Sequence, residues 1–220
     1  MPEFSVRRSG GSPAVAFLLS SCLLVAVSAF GGTRQAVVTA PAPAAAVLQA
    51  DDITVYTLVF QTFVLQGKRL PVLLADHTSI GVPPGMLVLT PLQDPKSGQF
   101  LAKISAEARL DYREKNKLPV ALSSPCSFAA ECTAMDVVRL TGMVMPKEKN
   151  DKGWDKFFER YPGAPGIFVI SRPGFNVDHT EAILYVGKSC GTLCGEGTYF
   201  WLTKHDGVWM IQGHTSVWIA

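Results

Sequence analysis

Most of the reactive chemistry open to this chain rests on four cysteines, Cys126, Cys132, Cys190 and Cys194, and four histidines, His77, His179, His205 and His214. Cys190 and Cys194 stand in "SCGTLCGEGTYFWLTK", Ser189 to Lys204, with three residues between them and glycines around them. Two sulfurs this close serve one of three chemistries. A thioredoxin-like redox centre places two residues between its cysteines at a helix N-terminus, which lowers the thiol pKa; here three intervene and an aromatic strand follows. A soft metal such as copper would need both thiolates with Met210 and His214 from the neighbouring strand, and the loop would have to fold back over the sheet. The third is a disulfide staple, closing a small ring worth about 2 kcal/mol on the chain-entropy argument. An even number of cysteines behind an export-type leader favours the staple. Closeness in sequence pairs Cys126 with Cys132 and Cys190 with Cys194, and no metal or cofactor is expected.

No two histidines have the i, i+4 spacing of a helical zinc site. His179 follows Asp178 and His205 precedes Asp206, so both read as turn residues. His77, between Asp76 and Thr78 at a strand end, and His214, placed opposite Tyr199, are the acid–base candidates. With Arg172 and Tyr199 they would have to meet in one helix–sheet cleft to make a small hydrolase or isomerase. Ser171 beside Arg172 has no base that spacing can assign to it. The chain has no G-x-S-x-G, phosphate loop or dinucleotide fingerprint. The reading therefore favours a monomeric, non-catalytic binding or envelope-associated structural module, whose partner is a small molecule or an envelope protein.

Arg7 and Arg8 precede an apolar run from Ala14 to Phe30, the order of an export signal. Val27-Ser28-Ala29 places cleavage before Phe30, giving a signal over 1–29 and a periplasmic or extracellular product. Leu19-Ser20-Ser21-Cys22 offers the alternative of a lipid anchor on Cys22, although the apolar run continues past it. An alanine- and proline-rich linker spans 30–50, and one globular domain spans 51–220. The formal charge is +2, and loss of the leader's two arginines and one glutamate leaves +1, which excludes electrostatic steering toward nucleic acid. The mixed-sign run Lys147 to Lys152 reads as a solvated loop.

The elements that would position these residues follow from periodicity. Asp51 and Asp52 stand at the N-cap of a helix that buries Ile53, Tyr56, Val59, Phe60 and Phe63 and ends at Gly67. Leu70–Ala75 is strand-like, residues 81–98 are irregular, Phe100–Lys117 is a second helix, and Met135–Met145 fits neither period. Trp154, Phe157, Phe158 and Tyr161 fall on one helical stripe that serves core packing. The last third is β-rich: Gly166–Ser171, Glu181–Lys188, Thr198–His205 and Val208–Ile219. Asp206-Gly207 predicts a type I′ hairpin. Its register pairs His205 with Val208, Lys204 with Trp209 and Leu202 with Ile211, then Trp201 with Gln212 and Tyr199 with His214. The glycines Gly191, Gly195 and Gly197 are read as freedom for a sharp turn. The fold class is α+β, N-terminal helices packed on a C-terminal antiparallel meander.

The C-terminal third resembles a family of exported, mostly bacterial proteins of unassigned function. The shared residues are Trp154, Phe157, Tyr161 and Pro162; Gly166 and Ile167; Ser171, Arg172, Gly174, Phe175 and Asn176; Ala182, Tyr185 and Val186. "CG.LCG.G.Y" from Cys190 to Tyr199, "L.K..G.W" from Leu202 to Trp209, and Trp218 complete the match. The resemblance implies helices followed by a partly covered meander, and carries no reaction with it. Pro173 stands where it would lead one to expect valine, which implies an edge or bulge there. The order of elements is also similar to NTF2-like cone domains.

Overall fold

The computed structural model describes residues 45–79, 95–124, 126–129, 131–136 and 153–219, with positions 139, 142 and 144 between the last two ranges. The leader, Cys22, most of the linker, most of the irregular 81–98 stretch and of Met135–Met145, and the Lys147–Lys152 run lie outside them.

Helix α1 (Ala50–Val59) runs into a π-helical turn, Phe60–Val64. Gln49 is its N-cap, and Asp51 and Asp52 stand two and three residues after it, in the first turn, where a carboxylate faces the positive end of the helix dipole. Asp52 accepts the Gln49 N–H at 2.8 Å. Gly67, at φ +75°, turns the chain away. Ahead of α1, Ala46 bridges Leu122.

The single helix expected over Phe100–Lys117 is two. Helix α2 (Pro95–Ala102) and helix α3 (Ala106–Lys115) are separated by a break at which Ser105 caps α3 by accepting the Ala108 N–H at 3.2 Å. A serine that can satisfy an orphan donor ends one helix and starts another. Helix α4 (Gly153–Arg160) carries the expected aromatic stripe, with the Trp154, Phe158 and Tyr161 rings within 5.3 Å of Phe157.

The α+β architecture is built on a seven-stranded mixed sheet ordered β2-β1-β3-β5-β6-β7, with β4 also paired to β5. Its strands are β1 Val72–Ala75, β2 Cys132–Met135, β3 Ile167–Ile170, β4 Gly174–Phe175, β5 Glu181–Gly191, β6 Cys194–His205 and β7 Val208–Ile219. Strands β3, β5, β6 and β7 form the expected antiparallel meander, and β1 extends it by running parallel to both β3 and β2. Strands β3 and β4 are one path along β5, interrupted at Ser171–Pro173 where proline has no N–H to give the ladder.

Asp206 and Gly207 both have positive φ, as a type I′ turn requires. The hairpin follows the expected register from His205–Val208 to Leu202–Ile211. Gln212 is then bulged, so Trp201 faces Gly213, Phe200 faces His214 and Tyr199 faces Thr215. The expected Trp201–Gln212 and Tyr199–His214 pairs are thereby corrected: one extra residue sends the side chains from Gly213 to Ser216 to the other face, until a second bulge at Val217 restores the phase.

Helices cover both faces. On one, Val55, Tyr56 and Val59 of α1, with Phe60, pack on Leu74, Phe168, Leu184, Phe200 and Leu202. On the other, α3 packs through Ala108 and Tyr112 on Ile183, Tyr185 and Tyr199, while Phe157 of α4 packs on Leu73, Ala75 and Ile167. The aromatic second face of the hairpin is thus covered by helix. Gly174 permits the closest approach, because a Cβ there would collide with the backbone of α3 at Tyr112 and Ala108.

Candidate functional site

Charged and aromatic side chains converge where the start of α1 meets the β4–β5 turn and the β6–β7 hairpin. Asp51 Oδ1 accepts from Lys204 Nζ at 2.9 Å and Trp209 Nε1 at 3.1 Å, and Oδ2 lies 3.3 Å from His179 Nδ1. Burial alone would raise the Asp51 carboxyl; the hydrogen bonds from Lys204, Trp209 and His179 and the Lys204 charge outweigh it and hold the group below its ordinary value. Asp52, which is buried, goes the other way: burial lifts it against the Gln49 amide and the Lys115 and Arg172 charges.

The turn that presents His179 is built by Asn176, whose Oδ1 accepts the Thr180 and Glu181 N–H groups, each at 2.8 Å. His179 sits at φ +51°, and its ring lies 4.7 Å from Phe175 at an interplanar angle of 9°. Lys115 Nζ stands 5.0 Å from the centre of the same Phe175 ring and 2.6 Å from Asp111 Oδ2, which also accepts the Phe175 N–H. An Asp–His pair with an exposed ring has the parts for proton transfer. Here the carboxylate is already committed to Lys204 and Trp209, and among the described residues no Ser, Thr or Cys side chain bonds the His179 ring. The assembly ties three segments together as a latch.

The residues singled out from sequence lie apart. His77 Nδ1 bonds Asp76 Oδ1 at 2.7 Å beyond the end of β1, where its backbone bridges Ala121. The His214 ring rests against Phe63 (4.6 Å) and Phe200 (6.0 Å) on the α1 face. Tyr199 points through the opposite face onto Tyr112 (5.6 Å) and Tyr185 (5.4 Å). Arg172 is held through its backbone, N–H to Asn116 Oδ1 at 2.8 Å and C=O from Asn116 Nδ2 at 2.9 Å. Of these four, only Arg172 borders the Asp51–Asp52 cluster, through its charge on Asp52. His205 bonds Thr203 Oγ1 at 3.1 Å. Each histidine therefore has its own partner and no two share one. Ser171 is fully buried, its hydroxyl accepting the Tyr185 N–H at 2.8 Å and its carbonyl the Tyr56 hydroxyl at 2.7 Å, so it is no nucleophile. Burial raises the hydroxyls of Tyr56, Tyr112, Tyr185 and Tyr199 above the ordinary tyrosine value, which keeps them neutral.

Both cysteine pairs are closed as the spacing predicts, Cys126 with Cys132 (Cα–Cα 5.2 Å) and Cys190 with Cys194 (5.0 Å). With its sulfurs joined, Cys190–Cys194 offers no thiolate. His214 faces Phe200, six residues along β6 from Cys194, roughly 20 Å at the rise of a strand, so it does not stand beside the Cys190–Cys194 sulfurs. Among the described residues no group of three His, Cys, Asp or Glu side chains stands at metal-binding distance.

The glycines of "CG.LCG.G.Y" have a different use from the one expected. Gly195 and Gly197 do not have positive φ; they lie inside β6 as the floor under the Trp218 ring. A Cβ on Gly197 would overlap Trp218 Nε1, and one on Gly195 would come within 2.9 Å of the same indole. The indole N–H donates to Tyr185 Oη at 2.8 Å, and Gly187, opposite Gly197 on β5, leaves room for that hydroxyl. Below this layer the Tyr112 hydroxyl is buried beside Tyr199 and Ser171. In comparisons with known proteins, no family model, curated sequence or solved structure matches the chain.

Proposed function

We propose that the chain is an exported, disulfide-stapled domain that acts as a non-catalytic binding or envelope-associated structural module. The observation that carries this reading is how the Ser171 hydroxyl, the Arg172 backbone N–H and the Asn176 side chain are spent: each holds one chain segment to another. The separation of His77, Tyr199 and His214 onto different parts of the sheet supports it further. Two disulfides in one small domain fit an oxidising compartment, and no described helix is long and apolar enough to cross a membrane. The apolar run behind Arg7 and Arg8 is the export signal, cleaved before Phe30, and the Ala/Pro-rich segment is the tether.

The test is to express the chain with its leader in an exporting bacterium, fractionate the cells and map the mature N-terminus by mass spectrometry. A product beginning at Phe30, oxidised and outside the cytosol, is expected. An uncleaved, reduced chain in the cytosol refutes the reading, and a lipid on Cys22 would replace free export with anchoring.

A further inference from the structure

The two edges of the sheet are built differently. Strand β2 is four residues long and is clipped at its first residue by the Cys126–Cys132 bridge. Strand β7 is twelve residues long and, among the described residues, its backbone ladder pairs only with β6, while its side chains reach Asp51 through Trp209, Ser97 through Thr215 and Tyr185 through Trp218. An unpaired edge displays a row of free N–H and C=O groups that can pair with another strand, and proteins guard it with charge, proline or bulges. From Val208 to Ile219 there is no charged residue and no proline. The guards present are the bulges at Gln212 and Val217.

We propose that β7 pairs antiparallel with β7 of a second copy across a two-fold axis, joining the two sheets into one. What favours a second copy over a foreign strand is the placement of the exposed apolar residues. Val208 is 63% exposed and Ile219 79% exposed, at opposite ends of the strand, so antiparallel pairing sets Val208 of one copy against Ile219 of the other, twice over. The middle of the strand, Gln212 to Ser216, has no Asp, Glu, Lys or Arg. A two-fold interface needs such self-complementarity.

The test uses the oxidised full chain. Sedimentation or light scattering at about 1 to 100 µM is expected to show the mass doubling with concentration, and hydrogen exchange to show β7 amides gaining protection over the same range. The double variant Met210→Lys, Ser216→Lys, both exposed positions, is expected to stay monomeric. If that variant does not fold, the exchange experiment on the unaltered chain decides alone. A monomer at every concentration, or β7 amides whose protection ignores concentration, overturns the proposal. So does a monomer whose β7 becomes protected only when an extended peptide is added, which would assign the edge to a foreign strand.

Discussion

Placing a single methyl group at Gly197 tests the Trp218 packing directly. The added carbon would overlap Trp218 Nε1 and stand 2.5 Å from Tyr185 Oη, against the roughly 3.5–4 Å of an ordinary carbon contact. The indole has to shift by more than about 1 Å, and the 2.8 Å bond to Tyr185 is lost with it. Overpacking costs about 1–3 kcal/mol and a lost buried hydrogen bond about 1 kcal/mol, so Gly197→Ala is expected to lose about 2–4 kcal/mol. For a domain of this size that lowers the melting temperature by roughly 6–12 °C. The assay is thermal and urea unfolding of the oxidised protein, for Gly197→Ala, Trp218→Leu and the pair. Once the indole is gone the methyl group has space, so adding Gly197→Ala to Trp218→Leu should cost less than about 1 kcal/mol, a coupling of at least about 1 kcal/mol. A Gly197→Ala protein as stable as the parent, or strictly additive effects, would refute the packing role.

Replacing Cys190 and Cys194 together by serine opens a ring with a sequence separation of 4, and is expected to cost about 2 kcal/mol, read as a melting point about 4–8 °C lower with the far-UV circular dichroism unchanged. Tyr56→Phe leaves the buried Ser171 carbonyl without its 2.7 Å donor and should cost about 1–3 kcal/mol in urea unfolding. Asp51 and Asp52 should respond oppositely to acid. Asp51 is depressed in the folded state, so its contribution is present above the unfolded value of 3.8 and disappears as pH falls through the lower folded value; Asp51→Asn should cost about 1 kcal/mol at neutral pH and flatten the acid limb of stability against pH. Asp52 is raised, so its charged form opposes folding once pH exceeds 3.8, and Asp52→Asn should be neutral or stabilising at pH 7; a large loss there would contradict the burial argument.

The parts legible in the sequence are those governed by local chemistry. Asp206-Gly207 announces a turn because both positions need positive φ, and the aromatic period of α4 follows from Trp154 to Tyr161 alone. The cysteine pairs are close enough for sequence separation to choose between connectivities. The bulge at Gln212 has no such signature, since nothing in Met210 to His214 marks which residue the ladder skips; the Tyr199–His214 pairing failed for that reason, and the two side chains lie on opposite faces of the sheet. Strand β2, "CTAM", is too short and too exposed to show an alternating pattern, so the parallel edge was hidden as well. The Asp51–His179 contact spans 128 residues, beyond any spacing rule, although an aspartate at a helix start and a histidine in a turn after Asp178 were each visible. The glycines near Cys194 could be seen, but their purpose lay in Trp218, more than twenty residues away.

The claim on which the account turns is that the sulfurs of the β5–β6 hairpin are a mechanical clip. Alkylating the natively folded, unreduced protein, digesting it and mapping the cysteine peptides tests this most directly. The expected result is no alkylated cysteine among Cys126, Cys132, Cys190 and Cys194, with Cys126 linked to Cys132 and Cys190 to Cys194. Free, alkylated thiols at Cys190 and Cys194 in the folded protein would contradict it.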